Sequence, residues 1–124
     1  MTQRVTASPA TCHWGYFDAA LPPVAEIESG ETVVIETVSG GPEHLPPGDA
    51  GFHVPPELLE IHARSDRQLP GHILTGPVAV KGAQPGEVLE VRILDVTLRQ
   101  NWGWNIICPL AGTLPEDFQT GRHV

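Results

Sequence analysis

Cysteine is scarce in this 124-residue chain: Cys12 and Cys108 are the only two. Two cysteines make no disulfide framework, and neither sits in a C-x-x-C or other tight ligand spacing, so reduced, partly buried thiols are expected. Long apolar runs are lacking too, and none approaches the roughly 18 residues that a membrane-spanning helix requires. Positive charge is in short supply. Seven basic residues face fifteen acidic ones, a net charge of −8, which repels phosphate backbones and anionic lipid surfaces and so disfavours nucleic acid and membrane as partners. The polar stretch from Met1 to Ala10 lacks the charged, apolar and small-residue order of a secretory signal, so a cytoplasmic address is expected. The chain has no G-x-S-x-G elbow, phosphate loop, G-x-G-x-x-G or EF-hand, and serine-hydrolase and nucleotide-binding chemistry therefore gain no support.

Glycine and proline are plentiful. Thirteen of each make about a fifth of the chain, and because both punctuate regular elements the expectation is turns and short strands rather than helices. The length suits one domain over residues 1–124, with about two-thirds of the unfolded surface buried. Two segments share a pattern: "EIESGETVVIETV" (26–38) and "GAQPGEVLEVRILDV" (82–96) each read as a turn, a glutamate and an alternating strand. In the second, Leu89, Val91 and Ile93 share one face and Glu90 and Arg92 the other, the period-two signature of a half-buried strand. In the first both faces are apolar, which predicts a central strand. The intervening segments differ, so the recurrence is hairpin chemistry rather than duplication.

"HILTGPVAVKGA" predicts two short strands, or one bulged strand, broken at Gly76-Pro77, with Val78 to Lys81 pairing with the 87–96 strand as a hairpin. A further strand is predicted over Ala10 to Phe17. "PPELLEIHARS" is the one helix candidate: prolines at its start, Glu57 in the first turn, and Leu58, Leu59 and His62 on one side. The prolines hold "LPPGDAGFHVPP" extended, and the chain after Pro109 carries little pattern. A mainly β fold follows, an antiparallel β-sandwich or barrel-like sheet with one or two short helices.

Five of the six histidines lie between residues 13 and 72. His13 is either a satisfied core imidazole or a site residue, and Asp18, five positions on, needs a bend to reach the same face. In "ETVSGGPEHLPP" a strand runs into Gly40-Gly41-Pro42 and then presents Glu43 and His44. Loops at a sheet rim are where catalytic groups sit, and a carboxylate beside an imidazole serves as metal ligands or as base and orienting partner; a solvated loop tip is the bland alternative. His53, His62 and His72 follow at intervals of nine and ten residues, unlike a zinc finger or a helical zincin, so any metal site has to be assembled through the fold. Trp102 and Trp104 in "NWGWN" alternate around a glycine and either pack on the core or wall a pocket.

Taken together and in order, "CHWGYFDAALPPV", "ETVSGGPEHLPP", "GFHVPPELLEIH", "GHILTGPVAVKGAQPGEVLEVRILDV" and "NWGWNIICPLAGTLPEDF" resemble the N-terminal portion of the acetamidase/formamidase family, over residues 12 to 118. The resemblance implies release of ammonia from formamide, acetamide or a related small amide, on a β-rich fold with a divalent metal, zinc foremost. A metal with an open position would make water nucleophilic and polarise the carbonyl. His13, Asp18, His44 and His72 stand in the family's stretches and are assigned as candidate metal ligands. Glu43, as proton shuttle, and His44 are the candidate catalytic residues, and Trp102 and Trp104 the candidate substrate wall. Family members are usually more than twice this length, so a homo-oligomer, or a second chain supplying a C-terminal half, is expected to cover exposed sheet edges. Cys108 stands where the family more often has a basic residue.

Two rival readings start from the same residues. One is a non-catalytic β-domain that binds a ligand or oligomerises, its site incomplete. The other is a mononuclear metal-binding β-sandwich of the copper-protein type, suggested by "SGETVVI", the scattered histidines and Cys108, although the next histidine is only His123.

Overall fold

The computed structural model describes residues 2–124. Eight strands of three residues each are present: β1 (Gln3–Val5), β2 (Cys12–Trp14), β3 (Ala25–Ile27), β4 (Val33–Ile35), β5 (Ile73–Thr75), β6 (Val78–Val80), β7 (Asn105–Ile107) and β8 (Gly121–His123). One helix, α1 (Pro56–Arg64), and one 3-10 turn (Pro42–His44) complete the elements. The mainly β expectation therefore holds. Its antiparallel sandwich or barrel does not emerge: the strands form four separate two-stranded sheets and no barrel closes. Strands β2 and β5, and β7 and β8, pair antiparallel, whereas β1 with β4 and β3 with β6 pair parallel. The prolines and glycines that interrupt the chain every few residues keep each ladder short.

Helix α1 starts where the sequence predicts. Pro55 is its N-cap and Pro56 supplies a pre-set φ at the first helical position; Glu57 lies near the positive end of the helix dipole, and His62 and Arg64 near the negative end. It ends at Ser65, whose extended backbone still donates its N–H to the Ile61 carbonyl at 2.9 Å. The predicted apolar face needs correction. Leu58 and Ile61 are fully buried while Leu59 is 47% exposed, because the i, i+3 pair points to the core and the residue beside it is turned about 100° away. Around Leu58 and Ile61 gather Ala7, Trp14, Val38, Ile73 and Trp102. Both buried indoles satisfy their N–H groups: Trp14 donates to the Gly71 carbonyl at 3.0 Å and Trp102 to the His53 carbonyl at 2.8 Å, as buried tryptophans require.

Strand β2 is shorter than the predicted Ala10 to Phe17 because the chain bends at Gly15. This residue has φ +89°, and a Cβ there would collide with the Leu69 carbonyl, so both conformation and space demand glycine. The Gly15 N–H donates to the His72 carbonyl at 3.0 Å, extending the β2–β5 register of Trp14 opposite Ile73.

The two recurring turns form as the same device. Glu31 donates its N–H to the Glu28 carbonyl and accepts the Glu28 N–H on its carboxylate; Glu87 does the same with Gln84. Lys81, which directly follows β6, forms an exposed ion pair with Glu28 of the first turn at 2.9 Å. Beyond the second turn, however, the predicted hairpin is absent. Strand β6 pairs in parallel with β3, Ala25 opposite Val78, and residues 87–96 remain unpaired. Periodicity makes a segment competent to be a strand, but the partner is decided by what the rest of the fold brings alongside. The central strand predicted within 26–38 is likewise paired on one side only, β4 with β1, leaving Val34 and Ile35 partly exposed. Strand β8, in the chain after Pro109, was not foreshadowed by any pattern. No helix among the described residues is long and apolar enough to cross a membrane.

Removing the two buried α1 side chains tests this core. Leu58→Ala and Ile61→Ala should each cost about 2–5 kcal/mol in urea unfolding, whereas Leu59→Ala, at a half-exposed position, should stay within about 1 kcal/mol. Equal losses at all three positions would contradict the helix orientation.

Candidate functional site

The glycine pair after β4 shapes the site. Gly40 has φ +90°, and a Cβ on it would lie 2.8 Å from Trp104 Nε1 and 3.1 Å from His44 Cβ. The loop therefore approaches the indole as closely as a bare backbone allows. A Cβ on Gly41 would collide with the Glu43 carboxylate, which curls back over it. Pro42 opens the 3-10 turn, and the His44 N–H closes it on the Gly41 carbonyl at 2.9 Å.

His44 is held by two contacts. Its Nδ1 accepts the Gly41 N–H at 3.0 Å, which leaves the ring proton on Nε2. Its ring lies flat on the Trp104 indole, centroids 3.9 Å apart and planes 11° from parallel. Glu43 Oε1 stands 3.9 Å from the same Nδ1, but a nitrogen that is accepting a backbone N–H carries no proton to share, so this is not an ion pair. The Glu43 partner is Arg67, whose guanidinium donates to Oε1 at 2.8 Å. Its own backbone N–H, then the Arg67 hydrogen bond and charge, hold the Glu43 carboxyl below its ordinary value of 4.5.

Two further groups fix the turn, and sequence reasoning passed over both in this role. His62 on α1 donates Nε2–H to the Gly40 carbonyl at 2.8 Å, while its ring stacks on Trp14 at 5.8 Å. Its Nδ1 is buried without a protein partner. Arg122 in β8 donates to the carbonyls of Glu43 and Leu45. Arg67 also lies over the Trp14 ring, 5.0 Å from its centroid, a cation–π contact. The helix, the core tryptophan and the last strand thus converge on one three-residue turn. The histidine at 62 could be read from the helix pattern, but no local signal in "TGRHV" marked Arg122.

The other candidates lie elsewhere. His13 and Asp18 line one cleft of about 390 Å³ with Phe17, Leu21, Leu74 and Pro77, and the Gly15 bend supplies the change of direction that their spacing required. Each already has a local partner: His13 Nε2 donates to the Tyr16 carbonyl at 3.0 Å, and Asp18 Oδ1 accepts the Ala20 N–H at 2.8 Å. His72 is exposed just before β5. No three His, Cys, Asp or Glu residues come together to hold a metal among the described residues. His13, Asp18, His44 and His72 therefore do not form a joint ligand set in this chain. Trp102 is a core residue, and of the two tryptophans Trp104 is the one at the site. Both cysteines are free; Cys12 is half-buried, while Cys108 is exposed rather than partly buried as predicted.

The Glu43–Arg67 pair has a measurable signature. A carboxyl with a lowered folded-state pKa adds stability that is complete above 4.5 and lost as pH falls through the folded value. Because Glu43 is about half exposed, the contribution is small. Arg67→Ala should move the Glu43 carboxyl upward toward 4.5 in a carbon-13 NMR titration; an unchanged midpoint would show that the arginine is not its partner.

Comparison with known proteins agrees with these motifs. The sequence profile of the "Acetamidase/Formamidase family" matches residues 1–120. A relative in Schizosaccharomyces pombe, named "Putative formamidase", is 36% identical over 84 residues, which are 66% of this chain and 18% of the relative. The chain thus spans less than a fifth of that relative's length. No solved structure matches it. Five collinear motifs, and a profile that spans nearly every residue, place the chain in the acetamidase/formamidase family.

Proposed function

We propose that this chain is one β-rich domain of a longer amidase architecture, acting in the cytoplasm on short linear amides such as formamide and acetamide and releasing ammonia. The observation that carries this reading is the turn at residues 42–44, which holds a carboxylate and an imidazole in fixed orientations beside a flat indole. Hydrolysis of an amide adds water to the carbonyl carbon, breaks the C–N bond and needs a proton on the departing nitrogen. Glu43 would accept a hydrogen bond from the attacking water and take its proton. His44, with its ring proton on Nε2, would donate to the carbonyl oxygen or the leaving nitrogen. The Trp104 face would position a planar amide by stacking.

The family's expected zinc would supply a more nucleophilic water. His13, Asp18, His44 and His72 do not converge on one point among the described residues. A metal reading requires ligands contributed from beyond these residues.

One specific feature favours a second reading, in which the chain is a non-catalytic β-domain. The Glu43 backbone N–H first, and then Arg67, hold the Glu43 carboxyl below its ordinary value, which makes it a weaker base. A partner that draws Arg67 away would restore part of its basicity.

The deciding experiment is ammonia release from formamide and acetamide by the purified chain, with bound metal measured on the same sample. The amidase reading predicts turnover that falls by about 10²–10⁴-fold in Glu43→Gln and His44→Ala. No turnover from a folded sample would leave the non-catalytic reading standing for the isolated chain.

A further inference from the structure

Two histidines meet at one peptide group. The Gly40 carbonyl accepts the Nε2–H of His62 at 2.8 Å, and the N–H of the same peptide, carried by Gly41, donates to Nδ1 of His44 at 3.0 Å. That peptide is trans, so it is planar and presents its C=O and N–H on opposite edges. One rigid plane therefore joins the two rings. Stacking holds both in place: His62 lies on Trp14 with centroids 5.8 Å apart, and His44 on Trp104 at 3.9 Å.

Backbone sterics do not choose which way that plane faces. Turning a peptide over changes ψ of the residue before it and φ of the residue after it, and a Cβ at either position ordinarily penalises one of the two orientations. With glycine on both sides the penalty is gone, and Gly40 already stands at φ +90°. The choice falls to the hydrogen bonds at the two edges.

The His44 edge accommodates either orientation. Its Nδ1 meets an N–H as a bare lone pair or meets a carbonyl as Nδ1–H, at the sole cost of moving the ring proton from Nε2. The His62 edge does not. With the plane turned over, the Gly41 N–H would face Nε2–H, donor against donor. His62 could answer only by moving its own proton to Nδ1, an atom that is buried with no protein partner. Buried N–H groups without an acceptor are rare, more so than acceptors with a spare lone pair. His62 thus favours one orientation of the plane, and the plane dictates the proton position on His44.

We propose that His62 is a positioning residue that sets the tautomer of His44: by holding the Gly40 carbonyl it keeps the Gly41 N–H on Nδ1, and so keeps the His44 ring proton on Nε2. Its consequence for catalysis rests on the amidase reading, in which that Nε2–H serves the carbonyl oxygen or the leaving nitrogen. The tautomer itself does not.

Nitrogen-15 NMR of the histidine rings in the intact chain tests this at about pH 8, where an imidazole is ordinarily neutral. Protonated and bare ring nitrogens have distinct shifts, so the tautomer is read without any activity. Wild type should carry the proton on Nε2 in both His44 and His62. His62→Phe keeps a ring against Trp14 but removes the donor, and should raise the ratio of Nδ1–H to Nε2–H at His44 about two- to tenfold. His62→Met, which adapts to irregular core space, repeats the test if phenylalanine does not fit. His62→Gln, which places an amide N–H near the position of Nε2–H, should restore the wild-type pattern. An unchanged His44 in a folded His62→Phe or His62→Met chain would overturn the proposal. So would a wild-type His44 protonated on Nδ1, or a His62→Gln chain that behaves as His62→Phe does. An inactive wild-type chain in which His44 still follows residue 62 would count against the amidase reading and in favour of the positioning role.

Discussion

Burial of Leu58 and Ile61 is the constraint on which the rest of this structure depends. With eight strands of three residues each, no single ladder is long enough to stand alone. The one helix supplies the apolar stripe against which Trp14, Val38, Ile73 and Trp102 pack. Those contacts bring together β2, β5 and the loops on either side of α1, elements far apart in sequence. The site inherits its geometry from them: Trp14 holds the His62 ring, His62 holds the Gly40 carbonyl, and the Gly40–Gly41 backbone holds His44. A shift of the helix would reach His44 through two hydrogen bonds, His62 to the Gly40 carbonyl and the Gly41 N–H to His44.

What was legible in the sequence was local chemistry. The Pro-Pro-Glu start of α1, the two glutamate-closed turns and the break at Gly76-Pro77 all depend on residues adjacent in the chain, and all form. The position of Glu43 and His44 after a glycine pair was equally readable, because only a bare backbone permits the Gly40 conformation and the approach of Trp104. Pairing was not readable. Residues 89–93 alternate as a strand should, yet β6 takes β3 as its parallel partner, a choice made by long-range packing that no periodicity reports. Arg67 and Arg122 were missed for the same reason: each reaches the turn from a distant part of the chain.

The electrostatics of the turn set a tension at the centre of the functional question. The backbone N–H and the arginine that order Glu43 also weaken it as a base, so order and reactivity pull in opposite directions at one carboxylate. A family domain that spans 18% of a relative and carries open apolar faces has room for partner groups that would change this balance. His62 Nδ1 and Ser65 Oγ, both buried without a hydrogen-bond partner, are further polar atoms whose environment is unfinished.

The contacts of Leu58 and Ile61 with Trp14 and Ile73 make the helix core and the β2–β5 pair one cooperative unit. Amide hydrogen exchange tests it most directly. The Ser65 amide, which closes the last turn of α1, and the paired amides of β2 and β5 should exchange only through global unfolding, with the same free energy. Faster exchange across α1 while β2 and β5 stay protected would contradict it, because the helix would then open on its own and could not be what positions the site.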